Sequence, residues 1–568
     1  MASRQKCLRS VHFFVLISCL SFVENKSVTI EQGDLRGNTL TSRGGRNFTA
    51  FRGIPYAQPP INKLRFKNPV PADSWNGTFV ADEEGNRCPQ LNVSSGEAFG
   101  NEDCLYLNVY TPKTNPVTLY PTIVYIHGGA FTRGHGGADY VGPQYIMDKD
   151  IVFVSMNYRL GALGFLSTGD AAAPGNFGLK DQLLALRWVN ENVKAFGGDP
   201  QRITLAGQSA GSVSVNLHAL SEASIGLFNQ YITQSGSPLS FWAYRDISSH
   251  KKYASDLGKH VGCPTNDSEV LIECLRRIEV YDLLTTEIFS GISTEFNTWV
   301  PTNEPPLEGA FITESPIELL LGNKLRDYPW ISGNVADEGL ILSAHLYVHE
   351  DFYDFVAKDV VKFLQYLTIT FIDTNNSTTL GTDIAEFYLK NVDLSNKDAL
   401  IQALTRIVND VGFLLPAIIQ MQIALNRMKS PFYYYLFEYR GTNSETERTL
   451  HENRDIGVAH GDELFYIFPP TKTNLASGGG MVHLDETMIN IMTDLWSSFA
   501  YNGVPVTKHM HETNTWKPFD QEMTYLGIGG RNHTMLTVGK NLQHERMRFW
   551  IKQLFKYAFH MFTKKNNK

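Results

Sequence analysis

Ile203-Thr204-Leu205-Ala206-Gly207-Gln208-Ser209-Ala210-Gly211 sets the fold class of this chain. Ile203–Ala206 reads as a short apolar strand and Val213–Leu220 as a helix, so a G-x-S-x-G segment stands at a strand-to-helix turn. The reason for two glycines is steric. Such a turn is strained, and a Cβ at Gly207 or Gly211 would collide with the neighbouring strand or helix. Ser209 is thereby presented at a helix N-terminus, where backbone N–H groups and the helix dipole favour an anion.

Outward from this turn, further strand-like runs lead into glycine-rich turns: Thr122–Ile126, Ile151–Ser155 and Trp330–Ser332. Between them lie helical patterns. The clearest begins at Leu179, carries Leu183, Leu186 and Val193 on one face, and stops at Gly197-Gly198-Asp199-Pro200. Apolar strands alternating with such helices predict an α/β fold with a large, mostly parallel sheet covered by helices on both faces. The chain has 568 residues but neither an internal repeat nor a low-complexity linker, so residues 22–568 read as one domain built on one sheet.

Composition is that of a globular protein, 43% hydrophobic and 19% charged, which excludes disordered, collagen-like and coiled-coil classes. Fifty Lys+Arg against 58 Asp+Glu leave a net charge of −8, which excludes a globally basic nucleic-acid binder. Arg4, Lys6 and Arg9 precede the apolar run Val11–Val23, which carries small residues near Cys19 and Ser21. That is the pattern of a cleaved secretory signal over residues 1–21, shorter than the ~20 apolar residues of a spanning helix. No later stretch reads as long and apolar enough to span a membrane, and Met547–Phe562 reads as a helix packed on the domain rather than an anchor. Cys7 and Cys19 leave with the signal. The nearest-neighbour pairing of the remaining cysteines, Cys88–Cys104 and Cys263–Cys274, closes two short loops, whereas zinc thiolates would need tight C-x-x-C pairs that are absent. Sequons at Asn47, Asn76, Asn92, Asn266, Asn375, Asn376 and Asn532 fit a secreted, glycosylated surface.

A serine hydroxyl needs a base and an orienting acid to act as a nucleophile. After Ser209, His460 stands apart in the glycine-flanked loop Gly457-Val458-Ala459-His460-Gly461-Asp462-Glu463. His345, His349, His509, His511 and His533 have no such framing and read as surface. Trp330-Ile331-Ser332-Gly333-Asn334 reads as a strand whose following loop carries Asp337, Glu338 and Gly339, and either carboxylate could orient an imidazole. Tyr125-Ile126-His127-Gly128-Gly129-Ala130-Phe131 follows a strand and offers backbone N–H groups for an oxyanion hole.

With these motifs the sequence resembles the type-B carboxylesterase/cholinesterase family, from about Val28 to the final helix. The run Phe196–Gly211 matches its serine signature, and Glu102-Asp103-Cys104-Leu105-Tyr106-Leu107-Asn108-Val109 its second signature. Phe51-Arg52-Gly53-Ile54-Pro55-Tyr56-Ala57 and Gly178-Leu179-Lys180-Asp181-Gln182 are further landmarks. The resemblance implies an α/β-hydrolase fold and a Ser209–Glu338–His460 triad, with Asp337 non-catalytic. It implies an oxyanion hole from the Gly128-Gly129-Ala130 loop with Ala210, the N–H donors being those of Gly129, Ala130 and Ala210. Both disulfide pairs match, and Arg65 with Glu102 matches a structural ion pair.

Departures from the family pattern narrow the expectation. Residues 89–103 lack the tryptophan that holds choline by cation–π contact in cholinesterases, and the family's third disulfide is missing. Ala130 replaces a frequent third glycine. Gln208 stands where most carboxylesterases have Glu, in the G-Q-S-A-G form of insect juvenile hormone esterases. The expected protein is a secreted serine carboxylesterase acting on a small-molecule ester, with juvenile hormone methyl ester one candidate. General insect esterases and slow-turnover ester-sequestering proteins use the same residues. A non-catalytic, neuroligin-like adhesion protein usually loses the Ser or His kept here. No cofactor, metal, nucleic-acid partner or membrane anchor is expected, and the sequence leaves oligomeric state open.

Overall fold

The computed structural model describes residues 26–92, 95–289, 298–372, 377–470, 483–511 and 515–557. The signal segment, Cys7, Cys19, Asn375 and Asn376 lie outside the described residues, as do positions 558–562 of the expected final helix. An 11-stranded sheet organises the chain. Its strands are β1 (Asn38–Thr41), β2 (Asn47–Pro55), β3 (Tyr106–Thr111), β4 (Tyr120–Ile126), β5 (Val152–Met156), β6 (Gly198–Gln208), β7 (Gln230–Gln234), β8 (Trp330–Val335), β9 (Phe432–Phe437), β10 (Tyr525–Gly530) and β11 (His533–Gly539). Across the sheet the order is β11-β10-β9-β8-β7-β6-β4-β5-β3-β2-β1. Neighbours from β10 to β5 run parallel. The two edges, β3-β2-β1 and β11, are antiparallel. The expected α/β sheet is present, with a parallel centre.

Both faces of the centre are buried, as its near-continuous apolar strands require. Along β4 the side chains alternate: Val124 and Ile126 enter one core, Ile123 and Tyr125 the other. Helices α1 (Phe177–Asn192) and α2 (Ala210–Leu220) cover the first face through Leu179, Leu186, Val213 and Leu217. Helix α3 (His483–Asn502) covers the second through Ile491, Leu495 and Trp496. The stop signal after α1 works as read: the chain tightens into a 3-10 turn over Val193–Phe196, and Gly197 takes φ +81°. The sequence reading places β6 too short, because Pro200, Gln201 and Arg202 break the apolar run. The strand accommodates them with a register shift between Gly198 and Ile203.

One expectation is corrected. The helical run Lys397–Leu425 is long and apolar enough to cross a membrane by length and composition. Its apolar window is 83% buried inside the protein, so it is a core element. A final helix, α4 (His544–Tyr557), packs on the domain through Met547, Trp550 and Tyr557.

Cys88–Cys104 and Cys263–Cys274 are both bonded, with Cα separations of 5.0 and 5.8 Å. Arg65 ties the two loops together. Its guanidinium forks onto Glu102 at 2.6 Å and donates to the carbonyls of Leu275 and Ile278 at 3.0 and 2.7 Å. Asn47, Asn76, Asn92, Asn266 and Asn532 are exposed, as are His345, His349, His509, His511 and His533.

Candidate active site

Strand β4 has β5 on one side and β6 on the other, so the chain's direction of travel reverses there. The carboxyl ends of such strands form the crevice where ligands bind in open α/β sheets. Ser209 sits at the end of β6, in the left-handed region at φ +58°. That conformation costs a non-glycine residue about 1–3 kcal/mol. The two glycines make it attainable. A Cβ on Gly211 would stand 2.1 Å from the Ile126 carbonyl oxygen, and one on Gly207 2.6 Å from the Gly211 carbonyl. Ser209 N–H donates to the Gln234 carbonyl at 2.8 Å, which fastens the turn to β7.

The glycine loop after β4 abuts this turn; a Cβ on Gly128 would lie 3.0 Å from that of Ser209. Carbonyl capture orients its amides. Burial holds the His127 imidazole down at about 3, hence neutral, with Nδ1 2.7 Å from the Gly128 carbonyl. The Gly129 carbonyl accepts from Thr132 N and Arg133 N, each at 3.0 Å. Because C=O and N–H point opposite ways across a planar trans peptide, Gly129 N–H and Ala130 N–H turn away from those anchors. Ala210 N–H, in the first turn of α2, has no intrahelical acceptor. The bend requires Gly129 at φ +113°, where a Cβ would meet the Arg133 carbonyl at 2.1 Å. Ala130 and Phe131 also take positive φ, +57° and +63°.

The candidate acid Glu338 lies just past the end of β8, and the candidate base His460 lies in a loop well beyond β9. His460 Nδ1 lies 2.5 Å from Glu338 Oε2. Glu338 is fully buried, and its Oε1 accepts from Asn334 Nδ2 and Val335 N–H at 2.8 and 3.0 Å. Asp337, the other candidate acid, instead accepts from Val458 N–H at 3.0 Å and clamps the His460 loop. Asp462 braces the same loop through the amides of Ala459 and Glu445 at 2.8 and 2.7 Å. Burial, then the charge on Glu338, push the Glu463 carboxyl up to about 8. That rise favours the neutral form of Glu463 at pH 7. Ser209 and Glu338 thus lie at the ends of two parallel strands, and the loop after β9 brings His460 onto Glu338. The model of the Carboxylesterase family matches residues 24–550.

The chain belongs to the carboxylesterase family.

It is 35% identical over 559 residues to the juvenile hormone esterase of Tribolium castaneum, with 93% of each chain covered. It is 35% identical over 536 residues to a carboxylic ester hydrolase of Bombus ignitus, covering 91% of this chain and 92% of that one. Venom carboxylesterase-6 of Apis mellifera is 32% identical over 538 residues, at 91% and 92% coverage.

Within this carboxylesterase the disulfide loop Cys88–Cys104 adjoins the glycine loop. The Gln90 side chain accepts from Gly134 N–H at 2.9 Å and donates to the Gly134 carbonyl at 3.0 Å. Two contacts were not legible in the sequence. Phe413, 47 residues before the base in a long apolar run, lays its ring 5.0 Å from that of His460. Gln208 touches the base directly, its Nε2 3.1 Å from His460 Nε2. Among the described residues no hydrogen bond reaches the Ser209 hydroxyl.

The Gln208 contact has a sign. An amide N–H donates only to an unprotonated imidazole nitrogen, so Gln208 favours the neutral base. A carboxylate there would accept from Nε2–H and favour the imidazolium. Gln208→Glu is expected to move the acid limb of kcat/KM upward by about one pH unit. A pH profile with the limb unmoved, or displaced downward, would refute that role.

Proposed function

We propose that this carboxylesterase hydrolyses carboxylic esters through an acyl-enzyme on Ser209. The observation that carries it is the buried Glu338–His460 pair, held at 2.5 Å beside a serine at φ +58°. Ser209 Oγ attacks the ester carbonyl while His460 Nε2 takes its proton, and Glu338 balances the imidazolium. The oxyanion is met by the N–H groups of Gly129, Ala130 and Ala210, a donor in such a hole typically contributing ~3 kcal/mol. The alcohol leaves with the proton from His460, and water repeats the sequence on the acyl-enzyme. Apo geometry leaves the Ser209–His460 bond to form on substrate binding, with Gln208 giving up Nε2.

For the substrate we propose an ester with a long apolar acyl part, with juvenile hormone methyl ester as the test compound. The G-Q-S-A-G form and the likeness to the Tribolium castaneum protein support it. Equal identity to the Bombus ignitus hydrolase favours a general carboxylesterase as the second reading. The protein is proposed to be secreted after loss of residues 1–21, with residues 22–568 as one catalytic domain. The support is the apolar run Val11–Val23, the two disulfides, and one sheet drawing strands from Asn38 to Gly539.

Organophosphate treatment followed by peptide mass spectrometry is expected to label Ser209 alone, and label on another residue would overturn the nucleophile. Steady-state kinetics on an ester panel separate the substrates. A kcat/KM for the hormone no higher than for naphthyl acetate leaves the general carboxylesterase.

A further inference from the structure

The long apolar helix carries a defect beside the active site. Lys397–Asn409 is α-helical, Asp410–Leu414 widens into a single π turn, and Leu415–Leu425 resumes the α-helix. Pro416 explains the widening. It has no N–H for the carbonyl four residues earlier and its ring would clash with that group. That carbonyl belongs to Gly412, and it is taken up by Trp242 Nε1 at 3.0 Å. Single π turns inside α-helices recur at functional sites.

This turn and the residue just before it touch both acid and base. Phe413 backs the His460 ring at 5.0 Å. Asn409, 5% exposed, accepts from the Glu338 backbone N–H through Oδ1 at 3.1 Å. Its Nδ2 donates to Asp410 Oδ1 at 3.2 Å. Asp410 is in turn anchored to the final helix by Arg546 at 3.0 Å and to Tyr388 OH at 2.5 Å, and Trp550 Nε1 donates to that hydroxyl at 2.7 Å. The Glu338 turn seats closely here, since a Cβ on Gly339 would lie 2.1 Å from the Thr405 carbonyl.

We infer that Asn409 is a positioning residue for Glu338, setting the acid's reach to His460 from a strut that runs to the final helix. This rests on the triad proposed above. The Glu338 carboxylate is already held at Oε1 by its own strand, so what Asn409 adds is the placement of the backbone from which the side chain springs. Without that bond the carboxylate withdraws from His460 Nδ1. A withdrawn carboxylate supports the imidazolium less, so activity falls and the acid limb of kcat/KM moves to lower pH. The titratable groups facing Glu338 include His460, Glu463, Tyr434 and Tyr435; those facing Asn409 are Asp410 and, through it, Arg546, Tyr388 and Arg406.

The test compares Asn409→Leu, which keeps the volume and removes both hydrogen bonds, with Asn409→Asp, whose carboxyl keeps the acceptor and can hold a proton toward Asp410. Rates are taken per active site titrated with an organophosphate, so poor folding lowers yield but not the measured kcat. Displacement of a catalytic group by about 1 Å can cost ~100-fold. The expected result for Asn409→Leu is a kcat about tenfold lower or worse, KM within about twofold, and an acid limb shifted down. Asn409→Asp at pH 6–7 is expected to recover kcat to within about threefold of wild type. Wild-type kcat and acid limb in Asn409→Leu, or equal impairment in Asn409→Asp, would overturn the inference. Should Asn409→Leu yield no titratable enzyme, Asn409→Ala is read by the same two criteria. Glu338→Gln is run alongside: full activity there removes the triad on which the inference rests, and leaves the Asn409 result to count separately.

Discussion

Ser209→Ala is expected to lower kcat/KM on the order of 10^4-fold or more while leaving the fold as stable as before. Both halves follow from the elbow. The hydroxyl is the only atom of Ser209 to which the proposed mechanism gives a chemical role, and no described residue hydrogen-bonds to it. The strained backbone at φ +58° is imposed by the packing of Gly207 and Gly211 against β4 and α2, and alanine suffers it equally. The amides of Gly129, Ala130 and Ala210 are untouched, so a remnant of catalysis over water persists. Thermal unfolding should stay within about 2 °C of wild type, because no buried polar partner is orphaned. Activity within tenfold of wild type would remove Ser209 as nucleophile. A large loss accompanied by a collapsed melting temperature would mean that the variant reports folding instead.

Glu338→Gln should cost ~10^4-fold in kcat at nearly equal volume. The size of the effect comes from the second carboxylate oxygen. Oε1 is pinned by two donors, Asn334 Nδ2 at 2.8 Å and Val335 N–H at 3.0 Å. In the variant those donors keep the amide oxygen on their side, which turns the amide NH2 toward His460 Nδ1. A nitrogen facing a donor must carry the lone pair, so the ring proton moves to Nε2. The base is then in the wrong tautomer to accept the proton of Ser209. Loss of less than tenfold would show that another group, Asp337 being the nearest alternative in sequence, orients the imidazole.

How much of this was legible in the sequence depends on whether the constraint is local. The G-x-S-x-G turn could be read because its requirements, two missing Cβ atoms between an apolar strand and a helix, fall within nine residues. The helix stop at Gly197 was legible for the same reason. The choice between Asp337 and Glu338 was not, since adjacent carboxylates have the same composition and differ only in direction. The family pattern named Glu338. The geometry adds the reason: Asp337 is used up on the Val458 amide, so only its neighbour reaches the ring. The apolar run Lys397–Leu425 shows the opposite failure. Its hydropathy is real, but whether lipid or protein covers it is a tertiary fact, and here protein does.

The sequence by itself determined the α/β sheet, the strained serine, the glycine loop and the short-range cysteine pairs, because periodicity, steric demand and loop length act between near neighbours in the chain. The tertiary structure alone decided that Gln208 meets the base, that Phe413 backs it and that Asn409 holds the acid's backbone. Those contacts join residues 252, 47 and 71 positions apart. No local pattern encodes such a meeting. It exists only once the parallel strands bring their carboxyl ends together and the helix around the proline-induced π turn presents Asn409 and Phe413 to that edge.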